Sequence, residues 1–417
     1  MDPQPDVIVI GAGVVGICVA ANLAEAGLAV AVIDRTGICE ETSSGNAAAL
    51  AFSDVLPLAQ KGMMRNLPRW MADPLGPLAV PPSYLPKLAP WLWRFWRAGR
   101  SGYEDALAAQ VAMMRLAEAE WLSLMDRSGT RSMLREDGSL ELYERESEFR
   151  ASLPGWGARE RNGIAFRHVE GDELAALQPG LSPRFVKGTF VPGWKTVADP
   201  RLLGRAVWAY AEPKGARFLQ ASAGALRGEA TGATESRAVV ELSDGRVLRA
   251  GKVVICAGAW SHLLARQTGD VVPLETERGY NTTLPKAAFD VRRQLIFSRH
   301  GFVITPLETG LRVGGAVEFG GLKRPPNYAR AKAMLEKARQ FLPGLDPSGG
   351  REWMGYRPSL PDSLPVIGKA RAPGVFYAFG HGHLGLTQAA ATGRIVRNLV
   401  LGQTPAIDLT PFSPQRF

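Results

Sequence analysis

The N-terminal part of the chain alternates short apolar runs with glycine-rich turns. Asp6–Ile10 is β-branched and apolar on both faces, which is typical of a buried parallel strand. Ile17–Glu25 follows with helical character, and Gly27 just beyond it is a common helix stop. Ala29–Ile33 then repeats the buried-strand pattern. These patterns predict a strand–helix–strand unit with parallel strands.

Three glycines separate the first predicted strand from the helix. Gly11 permits a tight turn, Gly13 lets the backbone approach a pyrophosphate, and Gly16 lets helix and strand pack closely. Asp34 ends the second strand, 18 positions after Gly16, where a carboxylate can accept hydrogen bonds from a ribose. The spacing predicts a dinucleotide site; the alternative is a glycine turn that serves packing alone.

Three later features favour a flavin over a nicotinamide. A small, polar loop, 41–48, follows the second strand, and the predicted strand Lys252–Cys256 ends at a glycine. Strand Val375–Phe379 leads through a glycine-rich turn into a predicted helix at Gln388–Leu401. A helix N-terminus there stabilises negative charge on a reduced flavin. The alternatives are a solvated loop and an ordinary strand–helix turn.

Composition excludes some other classes. The net charge is +9, but only 11 of the 49 basic residues are Lys and the Arg residues are dispersed, so we expect no nucleic-acid partner. Cys18, Cys39 and Cys256 form no CxxC pair or metal-ligand cluster, which favours a reducing compartment and no metal site. The uncharged run Val7–Ala24 lacks the basic leader of a signal peptide.

Several long motifs now make a family resemblance visible. They are VIVIGAGVVG (7–16), ETSSGNAAAL (41–50), VVICAGAWS (253–261), RGYN (278–281), GYRPSLPDSLPVIG (355–368) and FYAFGHGHLGLTQAAATGR (376–394). Over nearly its whole length the chain resembles the FAD-dependent superfamily of D-amino-acid oxidase, glycine oxidase and sarcosine oxidase. Within it, the sequence is most similar to the small-subunit type of bacterial D-amino-acid dehydrogenase.

The resemblance implies an α/β plus α+β fold in two discontinuous domains. A Rossmann-like FAD-binding domain would combine residues 1–60, 197–272 and 352–417. A substrate domain with a mixed or antiparallel sheet would be inserted as residues 61–196 and 273–351. Alternating patterns at 133–143, around Asp137-Gly138, and at 302–318, around Thr309-Gly310, predict hairpins that a parallel α/β pattern does not contain.

The resemblance also implies site residues. Arg357 matches the family arginine that pairs with the substrate carboxylate, Tyr280 matches a tyrosine over the same carboxylate, and His383 is a third candidate beside the flavin. The alternatives are a surface ion pair, a core aromatic and a structural histidine. The predicted FAD-binding residues are Gly11, Gly13, Val14, Val15, Gly16, Asp34, Arg35, Thr42, Ser43, Ser44, Asn46, Ala47, Ala48, Ala223, Ala257, Gly258, Trp260, Gly382, His383, Leu384, Gly385, Leu386 and Thr387. The GHGHLG loop has no cysteine, so we expect non-covalent FAD.

The implied reaction is hydride transfer from the α-carbon of a D-amino acid to flavin N5, giving an imino acid that water hydrolyses to a 2-oxo acid. The resemblance leaves open a dehydrogenase of D-proline or D-hydroxyproline and a glycine- or sarcosine-type oxidase using dioxygen. A flavoprotein acting on RNA is a further alternative, but the chain shows no clustered basic stripe.

Residues 84–97 (YLPKLAPWLWRFWR) combine three Trp with cations, and Leu85, Leu88, Leu92 and Phe95 share one helical face. This composition suits a membrane interface or, alternatively, a packing helix inside the protein. The resemblance implies quinone or another electron carrier as acceptor. It also implies a peripheral location on the cytoplasmic side of the inner membrane, or the cytoplasm.

Overall fold

The computed structural model describes residues 4–61, 75–230 and 236–417. Within those ranges the strands are β1 (Val7–Ile10), β2 (Val30–Asp34), β3 (Ala49–Leu50), β4 (Leu78–Ala79), β5 (Leu134–Arg135), β6 (Ser139–Tyr143), β7 (Arg167–Glu170), β8 (Lys187–Val191), β9 (Lys195–Val197), β10 (Ala216–Gln220), β11 (Ala223–Ala230), β12 (Ser236–Leu242), β13 (Val247–Ala250), β14 (Lys252–Ile255), β15 (Glu275–Leu284), β16 (Gln294–Phe297), β17 (Phe302–Leu307), β18 (Gly310–Phe319), β19 (Arg351–Ser359), β20 (Val366–Lys369) and β21 (Val375–Phe379). The α-helices of the same ranges are α1 (Val14–Glu25), α2 (Leu85–Ser101), α3 (Tyr103–Ser128), α4 (Glu146–Arg161), α5 (Gly171–Leu177), α6 (Pro200–Ala211), α7 (Ser261–Gln267), α8 (Ala329–Phe341) and α9 (Gly385–Val400).

The first sheet contains the predicted strand–helix–strand unit. Among the described residues its order is β10–β2–β1–β14–β21–β20, parallel throughout except for β20. The apolar runs of β1 and β14 are buried because helices cover the sheet. Strand β2 lies on one side of β1 and β14 lies on the other. A crevice therefore opens at the carboxyl ends of these strands, where the chain leaves them in different directions.

The second sheet is mixed, as the family resemblance implies. In the described chain its order is β19–β15–β18–β17–β16–β6–β8–β7, and β4 pairs with β18. All neighbours along this order are antiparallel except β16 and β6. The predicted hairpin at 302–318 is confirmed as β17–β18. The one at 133–143 is wrong, because β5 pairs with β9 in another sheet and Gly138 only turns the chain into β6.

Two features differ from the predicted domain boundaries. The boundary at residue 352 falls inside β19, which pairs with β15 along its whole length and so belongs to the second sheet. Helix α3, within the predicted substrate segment 61–196, packs against α9 of the first sheet. Its buried Ala, Met and Trp side chains join the core of α1 and α9, and the Trp121 indole donates to the carbonyl of Leu386 at 2.9 Å. Residues 62–74 of that segment lie outside the described ranges.

Helix α2 presents two different faces. Leu88 and Trp91 are buried against Phe319 of β18, and Leu85, Leu92 and Phe95 are partly buried in the same cluster. The apolar face identified from the sequence is therefore the packing face, because it packs against β18 of the second sheet. The opposite face exposes two other tryptophans, Trp93 (56%) and Trp96 (43%).

Candidate active site

A cavity of about 840 Å³ lies between the carboxyl ends of β1, β2 and β14 and one face of the second sheet. Its first end is bordered by the first turn of α1 and by the 41–48 loop. Its second end is bordered by β15, β18 and β19. The cavity thus joins the site predicted for a dinucleotide to the residues predicted to bind a substrate.

Most of the predicted cofactor-binding residues line this cavity. They are Gly11, Gly13, Val14, Val15, Asp34, Arg35, Thr42, Ser43, Asn46, Ala47, Ala223, Ala257, Gly258, Trp260, Gly382, His383, Leu384, Gly385, Leu386 and Thr387. Gly16, Ser44 and Ala48 are not in its wall: Gly16 packs on the carbonyl of Gly11, the Ser44 hydroxyl donates to the carbonyl of Glu41, and Ala48 is buried. These three residues lie behind the cavity wall and support it by packing or hydrogen bonding.

The N-terminus of α1 faces the first end of the cavity. Its N-cap, Gly13, provides no side-chain cap, and the first turn contains no acidic residue. The turn before it requires glycine: Gly11 has φ +112°, and a Cβ there would lie 2.4 Å from the Cys256 carbonyl oxygen. The N–H of Val14 donates to the Ser43 hydroxyl (3.0 Å), whereas the next N–H groups of the first turn and the helix dipole remain available for the phosphates of a dinucleotide.

Polar and aromatic groups extend this end of the cavity beyond α1. The Asp34 carboxylate accepts hydrogen bonds from the backbone N–H groups of Ala12 (2.8 Å) and Thr36 (2.9 Å). The Thr36 hydroxyl and the Gly37 N–H donate to the same oxygen as the Thr36 N–H, whereas the other oxygen accepts from Ala12 alone. That second oxygen keeps an acceptor position for a ribose hydroxyl. The Arg35 guanidinium lies 3.9 Å from the centre of the Trp260 indole, which orders both side chains at the wall.

The second sheet holds the 41–48 loop by side chains that the sequence did not single out. Asn281 donates to the carbonyl of Gly45 (3.0 Å), Arg312 to that of Ser44 (3.1 Å) and Gln294 to that of Ala47 (3.0 Å). The Trp353 indole packs over Gly45. The loop is therefore fixed from the substrate side of the cavity.

A second helix N-terminus faces the cavity. A short 3₁₀ turn, Gly382–Leu384, leads into α9, and neither has a side-chain cap. His383 lies in this turn, with Nε2 3.4 Å from a carboxylate oxygen of Asp54. Burial opposes ionisation of Asp54, but the hydrogen bond from His383 and the charge of Arg159 outweigh it and hold the Asp54 pKa below its ordinary value. His383 is thus anchored at the cavity wall by an ionised carboxylate.

Arg357 lies at the second end of the cavity. Its side chain crosses β15 over Gly279, where a Cβ would lie 2.4 Å from Nη2, and Nη1 donates to the carbonyl of Ala316 at 2.9 Å. Burial lowers the pKa of the guanidinium, and the nearby Glu277 carboxylate opposes that shift. Within the described chain Arg357 forms no ion pair, so its remaining donors can bind a carboxylate in the cavity.

Tyr280 borders the cavity, but its hydroxyl is bound elsewhere. The hydroxyl donates to Glu318, which is outside the cavity wall, and accepts from the backbone N–H of Asn327 at 3.1 Å. Strand alternation explains these contacts, because Tyr280 is one residue from Gly279 and its ring is directed to the other face of β15. The role of Tyr280 over the substrate carboxylate stays a prediction.

Glu277 is, with Asp54 and Arg312, one of the charged residues of the cavity that the sequence analysis missed. It is only 7% exposed and is paired in register with Arg357 across β15 and β19. The alternation Glu277, Gly279, Asn281 places all three residues on the cavity face. That alternation could have revealed Glu277 from the sequence, but only if the pairing of β15 with β19 were already known.

The arrangement suits a flavin dinucleotide. The first turn of α1 faces the part of the cavity where a pyrophosphate would bind, Asp34 is available to a ribose, and the N-terminus of α9 would stabilise negative charge on a reduced ring. The described cysteines are buried and free, and none belongs to the 382–387 segment. The donor groups present fit FAD.

Comparisons with known proteins agree with this geometry. The profile of the DAO family, described as FAD dependent oxidoreductase, matches residues 6–399. A D-amino-acid oxidase of Bradyrhizobium diazoefficiens is 34% identical over 420 residues, covering 99% of this chain and 98% of that protein. A D-amino acid dehydrogenase of Rhizobium rhizogenes is 30% identical, with 99% of each chain covered.

Solved structures share the fold. Glycine oxidase from Geobacillus kaustophilus superposes with a TM-score of 0.74 at 23% identity, covering 99% of each chain. L-Proline dehydrogenase from P. horikoshii gives a TM-score of 0.74 at 20% identity, covering 100% of this chain and 98% of that one. At such identities the similarity establishes the architecture of the two sheets and not the substrate.

Proposed function

The chain belongs to the DAO family of FAD-dependent oxidoreductases, and from this premise we propose that it oxidises D-amino acids to imino acids. The observation on which the proposal rests is the buried guanidinium of Arg357, which faces the cavity without a carboxylate partner among the described residues. Two full-length relatives named for D-amino acids support the stereochemistry. The imino acid would be hydrolysed by water to a 2-oxo acid.

The residues of the chain act by binding and orientation. Bound FAD supplies the acceptor for a hydride. Arg357 binds the substrate carboxylate through paired, charge-assisted hydrogen bonds, which fixes the direction of the neighbouring C–H bond. The N-terminus of α9 presents backbone N–H groups where negative charge develops. The side chains that hold the 41–48 loop keep the wall of the cavity in place.

Anaerobic titration of the purified flavoprotein tests this function. D-amino acids should bleach the flavin absorbance, whereas the matching L-enantiomers should not. Acid precipitation should release all the flavin into solution, as expected for non-covalent FAD. Bleaching by L-amino acids alone, or by glycine and sarcosine alone, would refute the proposed substrate class.

For the electron acceptor we propose a membrane quinone, reached from the outer face of α2. In the described chain no helix is long and apolar enough to cross a bilayer. The outer face of α2 nevertheless exposes Trp93 and Trp96, each beside an arginine: Arg97 lies 5.7 Å and Arg100 4.9 Å from the respective ring centre.

The charge of α2 also supports the proposal that its outer face binds a membrane. The helix contains four cations and no acidic residue. Indole rings with arginine favour the headgroup region, and an excess of cations favours anionic lipid. The three cysteines are buried and free, which is consistent with contact from the reducing, cytoplasmic side of the inner membrane.

Cosedimentation with vesicles tests this surface. Wild-type protein should bind phosphatidylglycerol vesicles and not phosphatidylcholine vesicles, and Trp93→Glu/Trp96→Glu should abolish binding while dye-linked activity persists. Leu153→Glu/Leu202→Glu, at two other exposed apolar positions (39% and 38%) away from α2, is the matched control. Equal sedimentation of the two double variants would refute the membrane surface.

The acceptor itself is tested by product analysis. With a soluble quinone present, quinone reduction should account for the amino acid consumed. Hydrogen peroxide in amounts equal to the substrate consumed would instead make the protein an oxidase, as the name of its Bradyrhizobium relative suggests for that protein.

A further inference from the structure

Glu277 has an unusual environment for a carboxylate. The residue is only 7% exposed at the wall of the cavity, on the face of β15 shared by Gly279 and Asn281. It forms neither a side-chain hydrogen bond nor an ion pair with any residue that the structure describes. A buried carboxylate without a partner is costly, so the cavity is expected to receive a group that supplies one.

A cation stands beside it without a hydrogen bond or direct ion pair between the two, although their charges interact. Glu277 and Arg357 are register partners on neighbouring strands, so their Cβ atoms lie on the same face. The Arg357 side chain leans away over Gly279 and donates to the carbonyl of Ala316. Two buried groups of opposite charge therefore face the same space side by side, each free to bind a ligand of the other sign.

The other titratable groups around Glu277 supply no partner. His381 and His383 share its wall, from the turn before α9, and α2 contributes the rings of Trp91 and Phe95 there. The indole N–H of Trp91 is buried without a hydrogen-bond partner in the described chain, but it carries no charge and forms no hydrogen bond with Glu277. Burial lowers the His381 pKa to about 3, so this ring is neutral at physiological pH, and His383 is bound to Asp54. The counter-ion must therefore come from the ligand.

We propose that Glu277 is the specificity-determining residue that binds an ammonium group of the substrate whose carboxylate Arg357 binds. The inference rests on the proposed oxidation of D-amino acids. The pair forms a clamp for a zwitterion: a ligand with both charges satisfies both residues, whereas a carboxylate without an amine brings its negative charge toward Glu277. The clamp thus selects amino acids against 2-hydroxy acids of the same shape.

The clamp also predicts a pH signature. Hydride transfer requires the neutral amine, and a carboxylate beside an α-ammonium raises the pKa of that ammonium. Removing the carboxylate should therefore move the acidic limb of the kcat profile to lower pH. A residue with a structural role only would change stability without moving this limb.

The test compares Glu277→Gln with Glu275→Gln, a matched control two residues earlier on the same strand that does not line the cavity. Glu277→Gln should raise KM for D-alanine roughly ten- to a hundredfold. It should leave inhibition by D-lactate unchanged or stronger, and it should shift the kcat limb to lower pH. Glu275→Gln should change none of these values.

D-Lysine distinguishes the two sources of the ammonium. An equal rise of KM for D-alanine and D-lysine identifies the α-ammonium as the partner, and a rise for D-lysine alone identifies the side-chain ammonium. If the glutamine variant does not retain FAD, Glu277→Asp, which keeps the charge, should preserve the preference for D-alanine over D-lactate. The inference is overturned if Glu277→Gln matches Glu275→Gln, or if D-lactate binding weakens as much as that of the amino acids.

Failure of this inference is separable from failure of the proposed function. If no D-amino acid bleaches the wild-type flavin, the function is wrong and the comparison of variants is not reached. If D-amino acids bleach it and both variants behave alike, the function stands and the clamp does not exist.

Discussion

The two ends of the cavity bind through different parts of the chain. At the first end the available groups are backbone N–H groups at the start of α1, next to a turn that only Gly11 permits. At the second end they are side chains on antiparallel strands, chiefly Arg357 and Glu277. Backbone groups are fixed by the fold itself, whereas side chains can be exchanged while the strand remains.

This contrast implies different tolerances. A change at the first end alters the path of the chain and should remove the cofactor together with stability. A change at the second end should alter which molecule is oxidised while the flavin stays bound. The predictions below test that division, beginning with the largest effect.

Gly11→Ala should disrupt the turn before α1 at the first end of the cavity. The new Cβ would meet the Cys256 carbonyl oxygen at 2.4 Å, and the residue would keep a φ of +112° that alanine rarely adopts. We expect complete loss of bound FAD, measured as the ratio of absorbance at flavin and protein wavelengths. Gly27→Ala, with φ +85° but no atom within 4 Å, isolates the strain and should retain FAD. Normal flavin content in Gly11→Ala would show that the turn is not required.

Arg357→Leu should impair substrate binding at the second end of the cavity and leave the first end intact. Losing a buried charge-assisted contact should lower kcat/KM for D-amino acids roughly thirty- to several-thousandfold. FAD content and the flavin spectrum should remain as in the wild type, because no backbone group of the first end is touched. Near-normal kinetics would remove Arg357 from the site.

A substitution at His381 tests the junction between the two ends of the cavity. The backbone of His381 forms an isolated β-bridge with Ser359 at the end of β19. Burial lowers its pKa from 6.5 to about 3. Between these values the unfolded chain binds a proton that the folded chain excludes. The free energy of unfolding therefore decreases as the pH is lowered through this range.

Below pH 6.5 this residue should cost about 1.4 kcal/mol of the free energy of unfolding per pH unit. His381→Gln should remove that part of the dependence, as measured by urea denaturation from pH 6.5 to 4.5. Parallel curves for the two proteins would contradict the prediction.

Tyr280→Phe should have the smallest effect on stability and activity. It tests which side chains of β15 face the cavity. Losing the hydroxyl contacts with Glu318 and Asn327 should cost about 1 kcal/mol of unfolding free energy. KM for D-amino acids should stay near the wild-type value because the hydroxyl is directed away from the cavity. A large rise in KM without loss of stability would return Tyr280 to the substrate site.

The same contrast explains what could be predicted from the sequence. Gly11 and Asp34 belong to one local unit, so their spacing predicts their position. Arg357 was identified by family resemblance, and the structure brings it into the cavity. Tyr280 and Glu277 are three residues apart on one strand, so alternation predicts opposite faces for them. Which of the two faces borders the cavity depends on the pairing with β19, which the sequence does not specify. The boundary predicted at residue 352 falls inside β19 for the same reason.

Strand β19 connects three parts of the molecule in nine residues: the Trp353 indole over the 41–48 loop, the Arg357 guanidinium, and the bridge to the turn before α9. Inserting or deleting one residue between positions 353 and 357 would reverse every side chain beyond it. Descendants of this protein that acquire new substrates should therefore diverge here by replacement of side chains, and length variation should accumulate in the surface loops instead.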